Sequence, residues 1–338
     1  MASLIRRSIR YTCYPGMLAL SLLACWQLQV AGTHTLLHTG GVVLIAALVL
    51  LLLEVVAPHS PRWRPVARSA TLDVVHSLVA AGLITPLVRA LLLSTVVVVA
   101  ARSSQWLGSP IWPHDWPLPA QLALAILAAD FGAYWGHRLM HLSQLGWRIH
   151  ALHHTPEGLN VFAAGRTHPF NAVVIIGAET TMVLALGIPL PALALLTVYK
   201  AVNGLLQHAN IDLEPGPLSR LLATSEVHRW HHSRVLEESN RNFGNGTMIW
   251  DQLFGTFFLP NGRRPSLDTG IEETDIPETY LAHLASPFLW SRYQRTPADQ
   301  PTQSCIGDAD TNANACTAER SESVRLSDTG PSMEMGSQ

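Results

Sequence analysis

Residues 35–57 read TLLHTGGVVLIAALVLLLLEVVA, an apolar run that is long enough to cross a bilayer as one helix. Pro86 and Arg89 interrupt a longer run at 72–101, which predicts one kinked span or two half-helices. Four further apolar runs complete the pattern, at residues 15–31, 118–136, 171–190 and 191–206. Together these runs predict an all-α fold, a polytopic membrane helix bundle.

The composition of the chain agrees with a membrane protein. Of its 338 residues 48% are hydrophobic and only 14% are charged, against about 25% charged residues in soluble globular chains. The net charge of −2 provides no basic field for nucleic acid. The four cysteines show no CxxC spacing, so neither a disulfide framework nor a cysteine-ligated zinc site is expected.

Arginine placement predicts the orientation of the spans. Arginines occur at the N-terminus, at 58–71, at 137–170 and in the C-terminal region, whereas the turns at 32–34 and 189–191 carry none. By the positive-inside rule this alternation predicts six crossings with both termini in the cytoplasm. Four crossings, with one hairpin lying shallow, are the alternative. In either case the histidine-rich segments at 137–154 and 228–232 are expected to form a cytosolic helical cap.

The first apolar run has two interpretations. It follows Arg6, Arg7 and Arg10, as the apolar region of a cleaved signal peptide would. We favour a retained anchor, because Gln29 stands where a small residue should precede a cut after Ala31.

The chain divides by composition into three parts. Residues 1–115 are expected to supply N-terminal membrane helices, and residues 116–295 a domain that contains the histidine clusters. Residues 296–338 are polar and poor in aromatic side chains, which predicts a disordered tail. The strong excess of Arg over Lys is typical of a GC-rich bacterial genome.

The 16 histidines carry the functional signal, since ten of them fall between His137 and His232. HRLMH at 137–141 has the spacing i, i+4, while HALHH at 150–154 and HRWHH at 228–232 have the spacing i, i+3, i+4. Such spacings place the rings of each motif on one helix face. Neighbouring helical residues differ by about 100° in direction. An HH pair therefore reaches two nearby points more easily than it chelates one ion, which predicts a dinuclear metal site.

The residue types narrow the choice of metal site. Imidazole suits Zn, Cu, Fe and Ni, and eight or more nitrogens exceed what one zinc ion needs. Carboxylates are scarce between His141 and His232, and no Glu-x-x-His pair occurs there, which excludes the carboxylate di-iron bundle.

Several residues outside these motifs are weaker candidates. His208 ends the last apolar run and is favoured as a ninth ligand. His168 is a further candidate ligand, with support of another ligand or a role at a helix start as the alternative. Asp130 lies two turns before His137 and is a candidate for orienting a ligand, with packing against an Arg as the alternative. The other histidines are isolated and are expected to be loop or interface residues.

Several motifs of the chain resemble those of a known protein family. DFGAYWGHRLMH (130–141), HALHH (150–154), RTHP (166–169), QHAN (207–210), EVHRWHHS (226–233) and NFGNGTMIWDQLFGTF (242–257) resemble the fatty acid hydroxylase/sterol desaturase superfamily. The resemblance implies a cytosol-facing non-haem centre of two iron ions that uses O₂ to hydroxylate or desaturate a C–H bond of a membrane lipid. It implies as ligands His137, His141, His150, His153, His154, His208, His228, His231 and His232.

The resemblance also sets the expected partners and location. A separate electron donor of ferredoxin or cytochrome type is expected, because the sequence contains no Gly-rich dinucleotide fingerprint and no fused haem domain. The expected substrate is a fatty acyl chain, a sterol or an isoprenoid, and the expected location is a bacterial inner membrane. Asn242 and Trp250 are expected to shape the packing beneath the clusters. A metal transporter and a membrane b-type haem protein are the alternative functions.

Overall fold

The computed structural model describes residues 2–32 and 35–295. Within these ranges the chain is helical and forms isolated bridges but no β-strand, which confirms the all-α fold. The α-helices are α1 (Ala2–Val30), α2 (Thr35–Val56), α3 (Ala67–Ser77), α4 (Thr85–Leu107), α5 (Leu118–Leu142), α6 (Gln144–His154), α7 (Pro169–Ala185), α8 (Leu190–His208), α9 (Ser225–His231), α10 (Leu236–Ser239), α11 (Ile249–Leu253), α12 (Tyr280–Ala285) and α13 (Trp290–Tyr293). Short 3₁₀ helices lie at Pro61–Trp63, Ala163–Gly165 and Gly216–Arg220.

The chain is a multi-pass membrane protein by the length and hydropathy of its helices. Five segments are long and apolar enough to cross a membrane: Leu4–Val30, Leu37–Val56, Ala67–Ser94, Leu118–Leu142 and Leu190–His208. The remaining predicted span, residues 171–190, corresponds to α7, which is apolar but only 17 residues long. The prediction of six crossings therefore stays a prediction, as does the orientation of the bundle.

The interrupted run forms one long helical segment rather than two separate half-helices. A π-helical stretch, Leu78–Ile84, joins α3 to α4. Pro86 lacks the N–H that would bond the carbonyl group of Gly82, four residues earlier, and a widened turn accommodates this loss. The Thr85 hydroxyl donates to the Ala80 carbonyl oxygen at 2.9 Å, which adds a side-chain bond at this turn.

The main core lies where α1, α2, α5 and α8 meet, around buried residues such as Tyr14, Leu50, Ala125 and Val198. Large apolar side chains on the outside of the bundle are exposed instead, as on α2 at Leu44 and Leu48. A helix that is apolar on both its inner and outer faces is typical of a membrane span. The C-terminal ends of α5 and α8 both carry predicted metal ligands, so the bundle brings these ligands to one end.

The predicted domain boundaries at residues 115 and 295 remain predictions. The predicted disordered tail, residues 296–338, lies outside the described residues.

Candidate metal centre

A sharp corner between α5 and α6 folds the second histidine motif back over the first. Ser143 leaves the helical conformation after α5, and its hydroxyl accepts the N–H of Gly146 at 3.1 Å, which caps α6. Gly146 lies so close to α5 that a Cβ atom there would stand 2.5 Å from the Cα of Met140. Only glycine permits this approach, which brings His150 within reach of His137.

All nine predicted ligands gather at this end of the bundle in two groups. In each group, one nitrogen of every ring lies within 4.8 Å of the others. The first group consists of His137, His141, His150, His154 and His231. The second group consists of His153, His208, His228 and His232.

The two members of each HH pair lie in different groups. His153 belongs to the second group and His154 to the first, while His231 belongs to the first and His232 to the second. This is the division that the 100° step of a helix predicts. The short helices α6 and α9 therefore link the two groups, and the rings of His154 and His232 stack across them at 4.5 Å.

Hydrogen bonds on the outer nitrogen orient most of the rings. The Nδ1 atoms of four histidines contact backbone carbonyl oxygens at 2.8–3.1 Å, and two more contact asparagine Oδ1 atoms at 2.7 and 3.0 Å. Because an oxygen of this kind only accepts, each Nδ1 carries the ring proton and each Nε2 presents a lone pair. The pairs are His137 with Phe243, His153 with Arg166, His208 with Gly204, His231 with Arg241, His141 with Asn240 and His150 with Asn171.

The Nε2 atoms, which face the inside of each group, lie at distances that suit metal ligation better than hydrogen bonding to one another. The Nε2 atoms of His137 and His150 lie 2.9 Å apart, and those of His153 and His208 lie 3.2 Å apart. No ring proton is available to join either pair, so their lone pairs face each other. Two imidazole nitrogens at right angles on one ion, each at about 2.0–2.1 Å, would be about 3 Å apart.

Burial keeps the histidines of the 150–154 and 228–232 motifs neutral, as metal ligands must be. Desolvation lowers the pKa of His153 to about 4. Desolvation, with repulsion from neighbouring imidazoles added to it, lowers the pKa of five others well below the ordinary value: His150, His154, His228, His231 and His232. In addition, the Nε2 atoms of His141 and His231 are buried without a hydrogen-bond partner. A cation would satisfy these nitrogens.

Asp130 fixes a loop that in turn supports His137. Its buried carboxylate accepts the backbone N–H groups of Asn245 at 2.9 Å and Thr247 at 3.0 Å, and it pairs with Lys200 at 3.4 Å. Asn245 and Thr247 belong to the glycine loop (residues 242–247). The carbonyl oxygen of Phe243 in the same loop contacts Nδ1 of His137. Asp130 therefore contacts the loop that supports His137 and not the ring itself.

A second buried carboxylate holds the same loop from the other side. Asp251 accepts the N–H groups of Phe243 at 2.8 Å and Gly244 at 2.7 Å, and the hydroxyl of Thr256 at 2.7 Å. Desolvation raises the pKa of Asp251 to about 6. Asp251 lies in the WDQLFGTF stretch (250–257) but was not among the residues predicted from the sequence.

Asn242 and Trp250 have the packing roles that the sequence predicts. Asn242 has a positive φ of 56°, and its amide nitrogen donates to the carbonyl oxygen of Val227 at 3.0 Å. The indole of Trp250 donates to the Leu127 carbonyl oxygen at 3.0 Å and packs on Phe131. Asn242 therefore joins α9 to the segment after α11, and Trp250 ties α11 to α5.

His168 lies outside both groups. Its Nδ1 accepts the N–H of Phe170 at 3.1 Å, so it caps α7, and its Nε2 contacts the carbonyl oxygen of Leu284 at 3.2 Å. These contacts favour the helix-start role over ligation.

Sequence reasoning missed two buried arginines that support the second group. Arg229 is buried and donates to the carbonyl oxygens of Ala209 at 3.1 Å and Ile211 at 2.7 Å, which ties α9 to the segment after His208. Arg166 pairs with Asp73 at 2.6 Å, with both side chains 2% exposed. The latter pair fixes the backbone whose carbonyl group supports His153, and nothing in the local sequence connects α3 to this segment.

The chain is similar in sequence to known proteins of one family. The sequence profile of the fatty acid hydroxylase family matches residues 122–256. An ornithine lipid hydroxylase of Rhizobium tropici is 32% identical over 319 residues, which are 94% of this chain and 95% of that protein. The alkylglycerol monooxygenase of Homo sapiens is 27% identical over 73% of this chain and 54% of that protein.

A third relative has a different named activity. A very-long-chain aldehyde decarbonylase of Oryza sativa subsp. indica is 31% identical over 43% of this chain and 54% of that protein. No solved structure matches the chain significantly.

Proposed function

Because the chain belongs to the fatty acid hydroxylase family, we propose that it is a membrane-bound oxidoreductase that uses O₂ to oxidise a C–H bond of a membrane lipid at a centre of two iron ions. The observation that carries this proposal is the division of nine histidines into two adjacent groups, in which six rings bond an oxygen through Nδ1 and so leave Nε2 bare. Five ligands would hold one ion and four the other.

The residues present suit the proposed centre. Two bound iron ions would supply the activation of O₂ and the oxidation of an unactivated carbon. The chain holds six of the nine ligand rings in one tautomer through their Nδ1 bonds, and it keeps water from the inner nitrogens by burying them. Outer partners of this kind typically set metal affinity as well as ligand direction.

We propose a polar membrane lipid of the ornithine lipid type as the substrate. Support comes from the relative named for this lipid, which is similar to the chain over nearly its whole length rather than only in the domain of the histidines. Exposed leucines at the end of α5 and the start of α6, Leu139, Leu142 and Leu145, offer an apolar surface for acyl chains close to the first histidine group. Hydroxylation is the expected reaction, since two relatives are named hydroxylase and monooxygenase.

Electrons for the reaction are proposed to come from a separate ferredoxin or cytochrome-type protein. The proposed location is a bacterial inner membrane with the histidines on the cytoplasmic side, where such donors occur. The arginine distribution supports this orientation.

The geometry argues against the two alternative functions. A haem would need a flat slot between two axial histidines, whereas the rings within each histidine group pack with centroids often only 4.4–5.2 Å apart. A transport site would be expected near the middle of the spans, but the predicted ligands lie at the ends of α5 and α8 and in α6 and α9.

The test is lipid analysis of a bacterial host that makes ornithine lipids, with and without the expressed chain. We expect a mass gain of one oxygen atom in the lipid, dependent on His231. A loss of two hydrogen atoms would instead identify a desaturase, and unchanged lipids with a fully metallated protein would refute the proposed substrate. Purified protein should contain two irons per chain and show no Soret absorbance.

A further inference from the structure

We propose that the C-terminal strap (residues 278–290) lies in the lipid interface at the end of the bundle that carries the histidines. Its outer apolar face would contact lipid, while its inner polar face holds the protein segment behind the metal groups. This inference concerns lipid contact, so it stands independently of the proposed function.

The inner face of the strap is polar and well bonded. Glu278 pairs with Arg166 at 2.8 Å. The Nδ1 atom of His283 lies 2.9 Å from the Nε2 atom of His76, which is free to accept because the Nδ1 atom of His76 bonds the Thr167 carbonyl oxygen. His283 is 1% exposed. The inner face is therefore fixed against α3 and the start of α7.

The outer face of the strap is apolar and uncovered. Leu281 is 78% exposed and Phe288 is 72% exposed, and Leu289 is 39% exposed. Exposed large apolar side chains on one short segment are typical of a surface that contacts something else. The adjoining Trp290 is 5% exposed and anchors the end of the strap.

The position of the strap identifies lipid as the contact. The ring of Phe288 lies 6.2 Å from the ring of Phe170, in the first turn of α7. Phe170 is 47% exposed, and Val173 one turn later is 42% exposed, so the strap continues the outer apolar surface of an apolar helix. On its other side the strap contacts His76, which belongs to the apolar segment Ala67–Ser94.

The length of α7 explains why such an addition is useful. Its 17 residues would span about 26 Å at 1.5 Å per residue, less than the roughly 30 Å of a hydrocarbon core. The strap adds apolar surface next to the first turn of α7, at the end where the helix begins.

The strap also connects this contact to the metal groups. Arg166, which Glu278 holds, provides the carbonyl oxygen for His153 at 3.1 Å. Lipid that keeps the strap in place would therefore also steady one ligand of the second group.

Photocrosslinking of the full-length protein in native membranes tests the contact. A photoreactive benzoylphenylalanine in place of Leu281 or Phe288 should form adducts with phospholipid, identified by mass spectrometry. The same group at Leu48, exposed on α2, is the positive control, and the same group at Glu237, exposed on α10, is the negative control. Adducts with a second copy of the chain or with another protein, or no lipid adducts while Leu48 gives them, would overturn the proposal.

Hydrogen exchange provides a second measurement on the same surface. In lipid nanodiscs, Phe288→Asn should raise amide exchange in the strap about tenfold while exchange in α2 stays unchanged. Equal exchange in the variant and the native protein would show that the apolar face does not hold the strap in the bilayer.

Discussion

Replacing Asp130 by Asn should loosen the glycine loop and weaken metal binding. The Asp130 carboxylate is fully buried and accepts two backbone N–H groups as well as the Lys200 ammonium group. An amide keeps one acceptor oxygen but turns an NH₂ group toward the remaining donors. Removing one partner of a buried ion pair costs about 3–5 kcal/mol. We expect the lower end, near 3 kcal/mol, because Lys200 keeps Glu179 at 3.3 Å.

The effect on the metal should travel through Phe243. If the loop shifts, its carbonyl group no longer fixes Nδ1 of His137, and loss of such an outer partner weakens metal binding about 10–100-fold. We expect about tenfold faster metal release to a chelator, since one ligand of nine is affected. Unfolding in mixed micelles by a graded increase in SDS would measure the stability of the same preparation.

A double-mutant cycle separates the ion pair from general disruption. Lys200→Met leaves Asp130 with its two N–H donors and leaves Glu179 with Arg89 at 3.4 Å. The double variant should be more stable than the sum of the single changes by about 1–3 kcal/mol, because no unpaired charge is left buried. As a control, Arg10→Gln removes a partly exposed ion pair with Glu214 and should leave metal release unchanged. Additivity within about 0.5 kcal/mol, together with normal metal release in Asp130→Asn, would refute the reasoning.

Three further predictions address the ligands, the support of the second group and the orientation. His231→Ala should lower the iron content and abolish lipid oxidation, while the exposed His114→Ala should change neither; full iron and turnover in the first variant would remove His231 from the ligands. Asp73→Asn should destabilise the protein by about 3 kcal/mol, because it leaves the buried Arg166 with the partly exposed Glu278 as its remaining carboxylate partner, and should speed metal release; unchanged release would mean that this pair does not position His153. A reporter inserted near Gly108 should be active outside the cytoplasm, and one fused after residue 300 inside it, whereas the reverse pattern would separate the histidines from cytosolic electron donors.

The division of each HH pair between two groups could be predicted from sequence because helical geometry is local. In HALHH, His150 and His154 are one turn apart on the same face, and both join the first group, while His153 is turned away from His154 and joins the second. The spacing predicts that His153 and His154 reach different points, but the other helices decide which histidines complete each group. Likewise Pro86 marked the one place where the long apolar run departs from regular α-helix.

The supports of the ligands could not be predicted, because most of them have no side-chain signature. The groups that bond Nδ1 of His137, His153, His208 and His231 are backbone carbonyls, which every residue possesses. Their positions depend on contacts between distant segments, such as that between Arg166 and Asp73, 93 residues apart. The interpretation of Asp130 as a residue that orients a ligand was close, but its contact is with the loop rather than with the ring.

The chemistry of these supports bears on the charge of the centre. All nine members of the two groups are imidazoles, and burial keeps those of the cap neutral. The buried carboxylates Asp130 and Asp251 accept N–H groups of the glycine loop, and neither belongs to the two histidine groups. Carbonyl oxygens fix the ring tautomers without adding negative charge. Bound cations would therefore keep most of their charge, and in a buried site that charge acts strongly on any electron-rich ligand that enters.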